Sequence, residues 1–114
     1  MSKVTELRLL KAIEREGDCA TKTIVWAEAG GRDGYERYFG DNGAFTRMRR
    51  QKPHPIIGIN EIVEYQLVEI WKEGDKILHG RTEHGKRYQH LLWLSLYYIG
   101  PYSEIEKGKL QRQR

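Results

Sequence analysis

Asp41-Asn42-Gly43-Ala44-Phe45-Thr46-Arg47-Met48-Arg49-Arg50 is the stretch on which the fold of this chain turns. Asp41 or Asn42 can offer a side-chain oxygen to the free N–H groups of a first helical turn, which is how such residues start helices. Phe45 and Met48 are three apart and fall on one face, while Arg47, Arg49 and Arg50 fall mostly on the others. Pro53 and Pro55 stop the helix, because proline lacks the donor and disfavours helical geometry in the residue before it. The stretch therefore reads as a helix of about two to three turns, apolar on one side and cationic on the other. The arginine fork suits phosphate oxygens and the O6/N7 edge of guanine. Cations near a C-terminus also favour the helix dipole, so the neighbours have to decide what the arginines are for.

Upstream, Thr5 to Glu16 reads as a helix, with Val4, Leu7, Leu9, Leu10 and Ile13 at helical spacing. Ser2 or Thr5 is its candidate cap and Gly17 its close. A second helix is expected after Gly17-Asp18-Cys19-Ala20. Thr21 or Thr23 caps it, Ile24, Val25, Ala27 and Ala29 form its small-residue face, and Gly30-Gly31 ends it. Residues 31–40 then insert Tyr35, Tyr38 and Phe39 before the basic helix.

Downstream of Pro53-His54-Pro55 the texture changes. Ile56-Ile57-Gly58-Ile59 is a short apolar run, and Ile62 to Trp71 alternates as a half-buried strand does, although a helix also fits it. Lys72-Glu73-Gly74-Asp75-Lys76 is a hairpin turn that leads into Ile77-Leu78-His79. Glu83-His84-Gly85-Lys86 is a second turn signal. In Arg87 to Ile99, Tyr88, Leu92, Leu94, Leu96 and Tyr98 suit one face of a strand, yet the leucines also cluster at helical spacing. The expected fold class is α+β: N-terminal helices followed by an antiparallel β-hairpin or a three-stranded meander. Residues 1–102 make one domain, and 103–114 form a basic, mobile tail.

In element order from Thr5 to about Tyr98, the chain resembles winged helix-turn-helix regulators of the kind found in archaea and their viruses. The resemblance rests on a helix, a Thr21-started helix, Gly30-Gly31, a basic helix and then strands. It implies that Arg47, Arg49 and Arg50 enter the major groove of double-stranded DNA with Lys52 on phosphate. It also implies that a wing bearing Lys76, Arg81, Lys86 and Arg87 follows the backbone or minor groove. The turn before the basic helix is longer than the tight form of that motif.

Composition narrows the remaining choices. The chain has 114 residues, 39% hydrophobic and 32% charged, enough for one modest core. Its net charge of +4 is unevenly spread. From Asn42 to Asn60 there are four basic residues and no acid, and from Lys107 to Arg114 another four and no acid, whereas Glu61 to Asp75 holds five acids against Lys72. One basic side suits a polyanion. Cys19 is the only cysteine, so an intrachain disulfide is excluded and a reducing, cytoplasmic setting is expected. The N-terminus has no uninterrupted apolar core, and the run Leu91 to Ile99 is far too short to span a membrane.

Catalytic chemistry finds little footing. His54, His79, His84 and His90 fit no zinc spacing and read as surface or turn histidines. Cys19 and Ser95 have no activating base near them in sequence. Glu61, Glu64 and Glu69 are the only candidates for the paired carboxylates of a Mg²⁺-dependent nuclease, and they suit a solvated strand face better. The glycines match no phosphate loop. The expectation is a non-enzymatic DNA-binding regulator, a homodimer that uses Arg47, Arg49, Arg50, Lys52, Lys86 and Arg87, with no cofactor, no metal and no small-molecule substrate. The alternative is a protein–protein interaction module built on Trp93, Tyr97, Tyr98 and Tyr102.

Overall fold

A leucine stripe at helical spacing forms the first element, α1 (Lys3–Arg15), in the computed structural model, which describes residues 3–28, 38–41, 43–56 and 61–99. Helix α2 (Lys22–Glu28) and the short α3 (Ala44–Met48) follow. Two antiparallel hairpins come next, β1 (His54–Ile56) with β2 (Glu61–Val63) and β3 (Val68–Glu73) with β4 (Lys76–Arg81). The chain then enters α4 (Glu83–Leu94), which continues as a π-helical turn over Ser95–Ile99. The α+β class is as expected.

Helix α1 begins before Thr5, so Thr5 lies inside it and does not cap it. Its end is as the glycine indicated: Gly17 sits at φ 68°, its N–H bonds the Glu14 carbonyl at 3.0 Å, and the Asp18 N–H reaches back to the Ile13 carbonyl at 3.0 Å. These are the two reverse bonds of a Schellman cap. Helix α2 starts on Thr21, whose Oγ1 accepts from the Ile24 N–H at 3.3 Å. Among the described residues of its expected apolar face only Val25 is buried, with Ile24 and Ala27 exposed and Trp26 half-buried against the core. Ala29, Gly30-Gly31 and the insertion through Tyr35 lie outside the described residues, as do Ile57-Gly58-Ile59, Tyr102 and the 103–114 tail.

The strand that alternation suggested from Ile62 to Trp71 is two strands in two sheets. Val63 pairs with His54 in the first hairpin, while Val68 pairs with Arg81 in the second. The expected turn at 72–76 is present: Glu73 faces Lys76 across a two-residue loop with Gly74 at φ 59°. Positive φ at the first loop residue alone is the pattern of a type II′ turn, whose twist matches the strands. No third strand follows among the described residues. Residues 83–94 are helical, so the expected second turn and the strand from Arg87 are corrected. Thr82 caps the helix, accepting from the Gly85 N–H at 2.9 Å, and Tyr88, Gln89, Leu92, Ser95 and Leu96 are buried at spacings of three and four. In place of a third long strand, Ala20 in the α1–α2 connection bridges to His79 of β4 by N–H···O bonds of 2.9 and 2.8 Å.

The core lies where the helices meet the second hairpin. Leu7, Leu10 and Ile13 of α1, Val25 of α2, Phe45 and Met48 of α3, Leu67 and Val68, and Tyr88 and Leu92 of α4 form one buried cluster. No helix among the described residues is long and apolar enough to cross a membrane.

Candidate nucleic-acid interface

Helix α3 is short because it is held rather than capped. Gly43 is its N-cap, with φ −68° and ψ 157° and no side-chain cap bond, which corrects the expectation that Asp41 supplies one; Asn42 lies outside the described residues. A Cβ on Gly43 would run into the Tyr38 carbonyl, so the close approach requires glycine. Ala44, Phe45 and Met48 are buried. Phe45 packs edge-on to Phe39 at 5.2 Å and to the His79 ring at 4.9 Å. At the other end the Met48 carbonyl accepts from the Leu67 N–H at 2.9 Å, tying α3 to the entry of β3. Five residues are therefore fixed by three buried side chains and a strand contact.

The cations expected to contact DNA occupy three different environments. Arg50 is exposed, and its Nη2 donates to the Asp41 carbonyl at 2.7 Å, which leaves the rest of its fork facing solvent. Lys52 follows it, half-exposed. Arg49 is half-buried: its guanidinium lies 5.7 Å from the centre of the Phe45 ring, and its Nε is buried without a partner among the described residues. Arg47 is half-buried on the side of α3 near Tyr88 and opposes the forces that raise the Tyr88 pKa. Lys86 and Arg87 stand apart from this run, in the first turns of α4, which packs on α1 and β4. Each has an acid of its own, Glu83 at 3.2 Å for Lys86 and Glu61 at 3.1 Å for Arg87.

Two further placements differ from the expected wing. Arg81 is not a surface cation: only 11% of its side chain is accessible, and it forks onto Asp18 at 2.6 and 2.9 Å while reaching Gln89 at 2.9 Å and Glu14 at 3.3 Å. That guanidinium holds the Asp18 carboxyl below the usual carboxylate range. The hairpin tip carries Lys72 and Lys76 against Glu73 and Asp75, and Trp71 Nε1 donates to Glu73 at 3.2 Å, so its charge is balanced. Lys22 is the cation the sequence did not single out. Its Nζ lies 5.0 Å from the Phe39 ring centre, and with Arg49 it bears on His79, which places it on the Arg49 side of α3. A lysine at the start of α2, far upstream of the arginines, carries no sequence signal for that proximity.

The buried histidines correct the expectation of surface histidines. His79 is 2% exposed and its Nδ1–H donates to the Ala20 carbonyl at 2.9 Å; burial pushes its pKa down, and Arg49 and Lys22 push the same way. His54 is 3% exposed, donates from Nε2 to the Arg50 carbonyl at 3.3 Å, and is likewise lowered by burial. His84 is exposed and stacks on Tyr65 at 4.0 Å, and His90 is exposed. Among the described residues no group of His, Cys, Asp or Glu could hold a metal ion. Trp93 and Tyr97 are half-buried against the core, 6.0 Å apart, rather than a freely exposed aromatic face. Comparison with protein-family models, with curated proteins and with solved structures finds no match, so the reading of this site rests on the chain's own geometry.

Proposed function

We propose that this chain is a small, non-enzymatic DNA-binding regulator of the cytoplasm, winged-helix-like in plan and working as a homodimer. The observation that carries the reading is the run Arg47, Arg49, Arg50 and Lys52, with no acid among them, on and just after a helix pinned by Phe45, Met48 and the Leu67 contact. The element order supports the plan: α1, a bridging residue on β4, α2, α3, then the β3–β4 hairpin in the position of a wing. On this plan β1–β2 is an insertion after the basic helix, and α4 an addition after the wing.

On this reading the mode of binding is mostly electrostatic. Helix α3 is little more than one turn long and three of the four cations follow it, so on this reading most of the affinity comes from phosphate contacts and little from base edges. The charge-balanced tip of the β3–β4 hairpin, and the placement of Lys86 and Arg87 on α4 apart from this run, leave Arg50, Arg49, Arg47 and Lys52 as the main contacts. A second copy would double that number at two half-sites.

Fluorescence anisotropy of a labelled random duplex, titrated at several salt concentrations, tests the proposal. With about four phosphate contacts per copy, log K should fall with log salt at a slope of about −3 to −4 per bound copy. The triple change of Arg47, Arg49 and Arg50 to alanine should flatten that slope by about 2 to 3. Salt-independent binding, or a slope the triple change leaves alone, rules the proposal out. The same titration with single-stranded and duplex RNA separates a DNA preference from general attraction to polyanions.

A further inference from the structure

A cleft of about 250 Å³ opens between α1 and α4, well away from the arginine run in chain order and built from different elements. Its walls are two helical stripes. Leu7, Lys11 and Glu14 come from α1 at spacings of four and three, and Lys86, Gln89, His90 and Trp93 from α4 at spacings of three, one and three. Leu7 is buried and gives the cleft an apolar floor, and Trp93 supplies an indole wall braced by Tyr97.

The charges left unneutralised in this cleft are positive. Glu14 is its only carboxylate, and both oxygens are engaged: Oε1 accepts from Gln89 Nε2 at 3.1 Å, and Oε2 lies 3.3 Å from Arg81 Nη1. Gln89 in turn accepts from Arg81 at 2.9 Å, so the polar side of the cleft is held in place by a buried cation. The side chains of Lys11 and His90 have no polar partner among the described residues. Lys86 pairs only with Glu83, whose side chain is 87% exposed, and a surface pair of that kind holds a lysine weakly. An aromatic wall, an apolar floor and two available ammonium groups match one ligand chemistry: a flat ring with a negative charge at its edge.

We propose that this cleft binds a small planar aromatic anion, its ring against Trp93 and its carboxylate or phosphate taken by Lys11 and Lys86. The site is separate from the arginine run on which the nucleic-acid reading rests, and Lys86, expected on DNA from the sequence, is assigned to the cleft. It shares no residue with the arginine run, and its test contains no nucleic acid.

Isothermal titration of the full chain at low salt provides that test, with four probes: 2-naphthoate, adenosine 5′-monophosphate, 2-naphthalenemethanol and inorganic phosphate. At least one of the two aromatic anions should bind with a Kd of about 0.1–1 mM, and the neutral alcohol and bare phosphate about tenfold or more weakly. Naphthoate alone binding identifies a carboxylate ligand, and the nucleotide alone a phosphate ligand. The double change Lys11→Ala and Lys86→Ala should weaken the bound anion about tenfold, whereas Arg47→Ala with Arg50→Ala should leave it unchanged. Lys86 is exposed and Lys11 half-buried, and neither makes a buried hydrogen bond among the described residues, so circular dichroism should show the double variant folded; Trp93→Phe, with less ring area, should weaken binding independently. If neither aromatic anion outbinds the alcohol and phosphate, or if binding survives the lysine changes or is lost with the arginines instead, the proposal is wrong.

Discussion

Arg49 and Arg50 are neighbours in the chain with opposite situations. Arg50 is exposed and makes one bond, to the Asp41 carbonyl, while Arg49 lies over the Phe45 ring with its Nε buried. Binding and stability should therefore separate at these two positions. Arg50→Ala should leave the unfolding free energy from urea melts within about 0.5 kcal/mol of the parent and still weaken duplex binding. Arg49→Ala should cost about 1 kcal/mol of stability through the lost cation–π contact and packing, in addition to its effect on binding. Equal urea midpoints in the two variants would remove the distinction. Arg81 is the arginine on which the fold depends most. Replacing it with alanine strands Asp18, Glu14 and Gln89 together, and should cost about 2–4 kcal/mol by urea denaturation. Lysine in its place should recover little, because a point charge cannot fork onto both Asp18 oxygens as the guanidinium does at 2.6 and 2.9 Å.

At the level of elements, α4 shows what a single sequence can and cannot reveal. Its leucines at 91, 92, 94 and 96 fit a period of two nearly as well as one of 3.6, so periodicity alone left strand and helix open. The deciding features were local, but they resembled a turn. Thr82 caps the helix and also donates its hydroxyl to the Gln66 carbonyl at 2.6 Å. Gly85, read as a turn glycine, is helical, and it is glycine because a Cβ there would collide with the Leu67 carbonyl. Both constraints come from the connection between the two hairpins, which alternation had merged into one strand. Where the signal was a cap or a tight turn it could be read directly, as at Gly17, Thr21 and Gly74. The same limit applies to the site: the arginine run stands in one stretch of sequence, but the burial of Arg81 depends on Asp18, 63 residues away. If Thr82 serves both contacts, Thr82→Ala should cost about 1–2 kcal/mol, more than a surface cap alone, while Thr82→Ser should recover most of it. Thermal melts of the two variants distinguish these outcomes, and identical melts would mean that the hydroxyl does neither job.

For the whole molecule, three buried or half-buried groups bias folding toward neutral pH in the same direction. His54 and His79 both have pKa values lowered by burial, and each donates a ring N–H to a backbone carbonyl, Arg50 and Ala20 respectively. Above the ordinary histidine range, about 6.5, both are neutral whether the chain is folded or not, and they add no pH dependence. As pH falls below that range, the unfolded chain takes up protons that the folded chain refuses, so stability drops until pH reaches the lowered folded values. The slope is about 1.4 kcal/mol per pH unit for each histidine. Asp18, lowered chiefly by its hydrogen bonds to Arg81, acts at more acid pH: its contribution is present above the ordinary aspartate value and is lost as pH falls through the folded one. Urea melts from pH 7.5 to 3 should therefore show two successive losses. His79→Asn keeps a donor at the Nδ1 position and His54→Gln one at Nε2; each should halve the slope just below about pH 6.5 even if the variant is less stable overall. Asp18→Asn should leave that slope alone and flatten the loss at lower pH. These histidines join α3, the bridge at Ala20 and the β1 hairpin, so acid should loosen the support of the arginine run before the rest of α1 and α4 unfolds. A slope just below about pH 6.5 that neither histidine variant changes would place the acid sensitivity elsewhere in the chain.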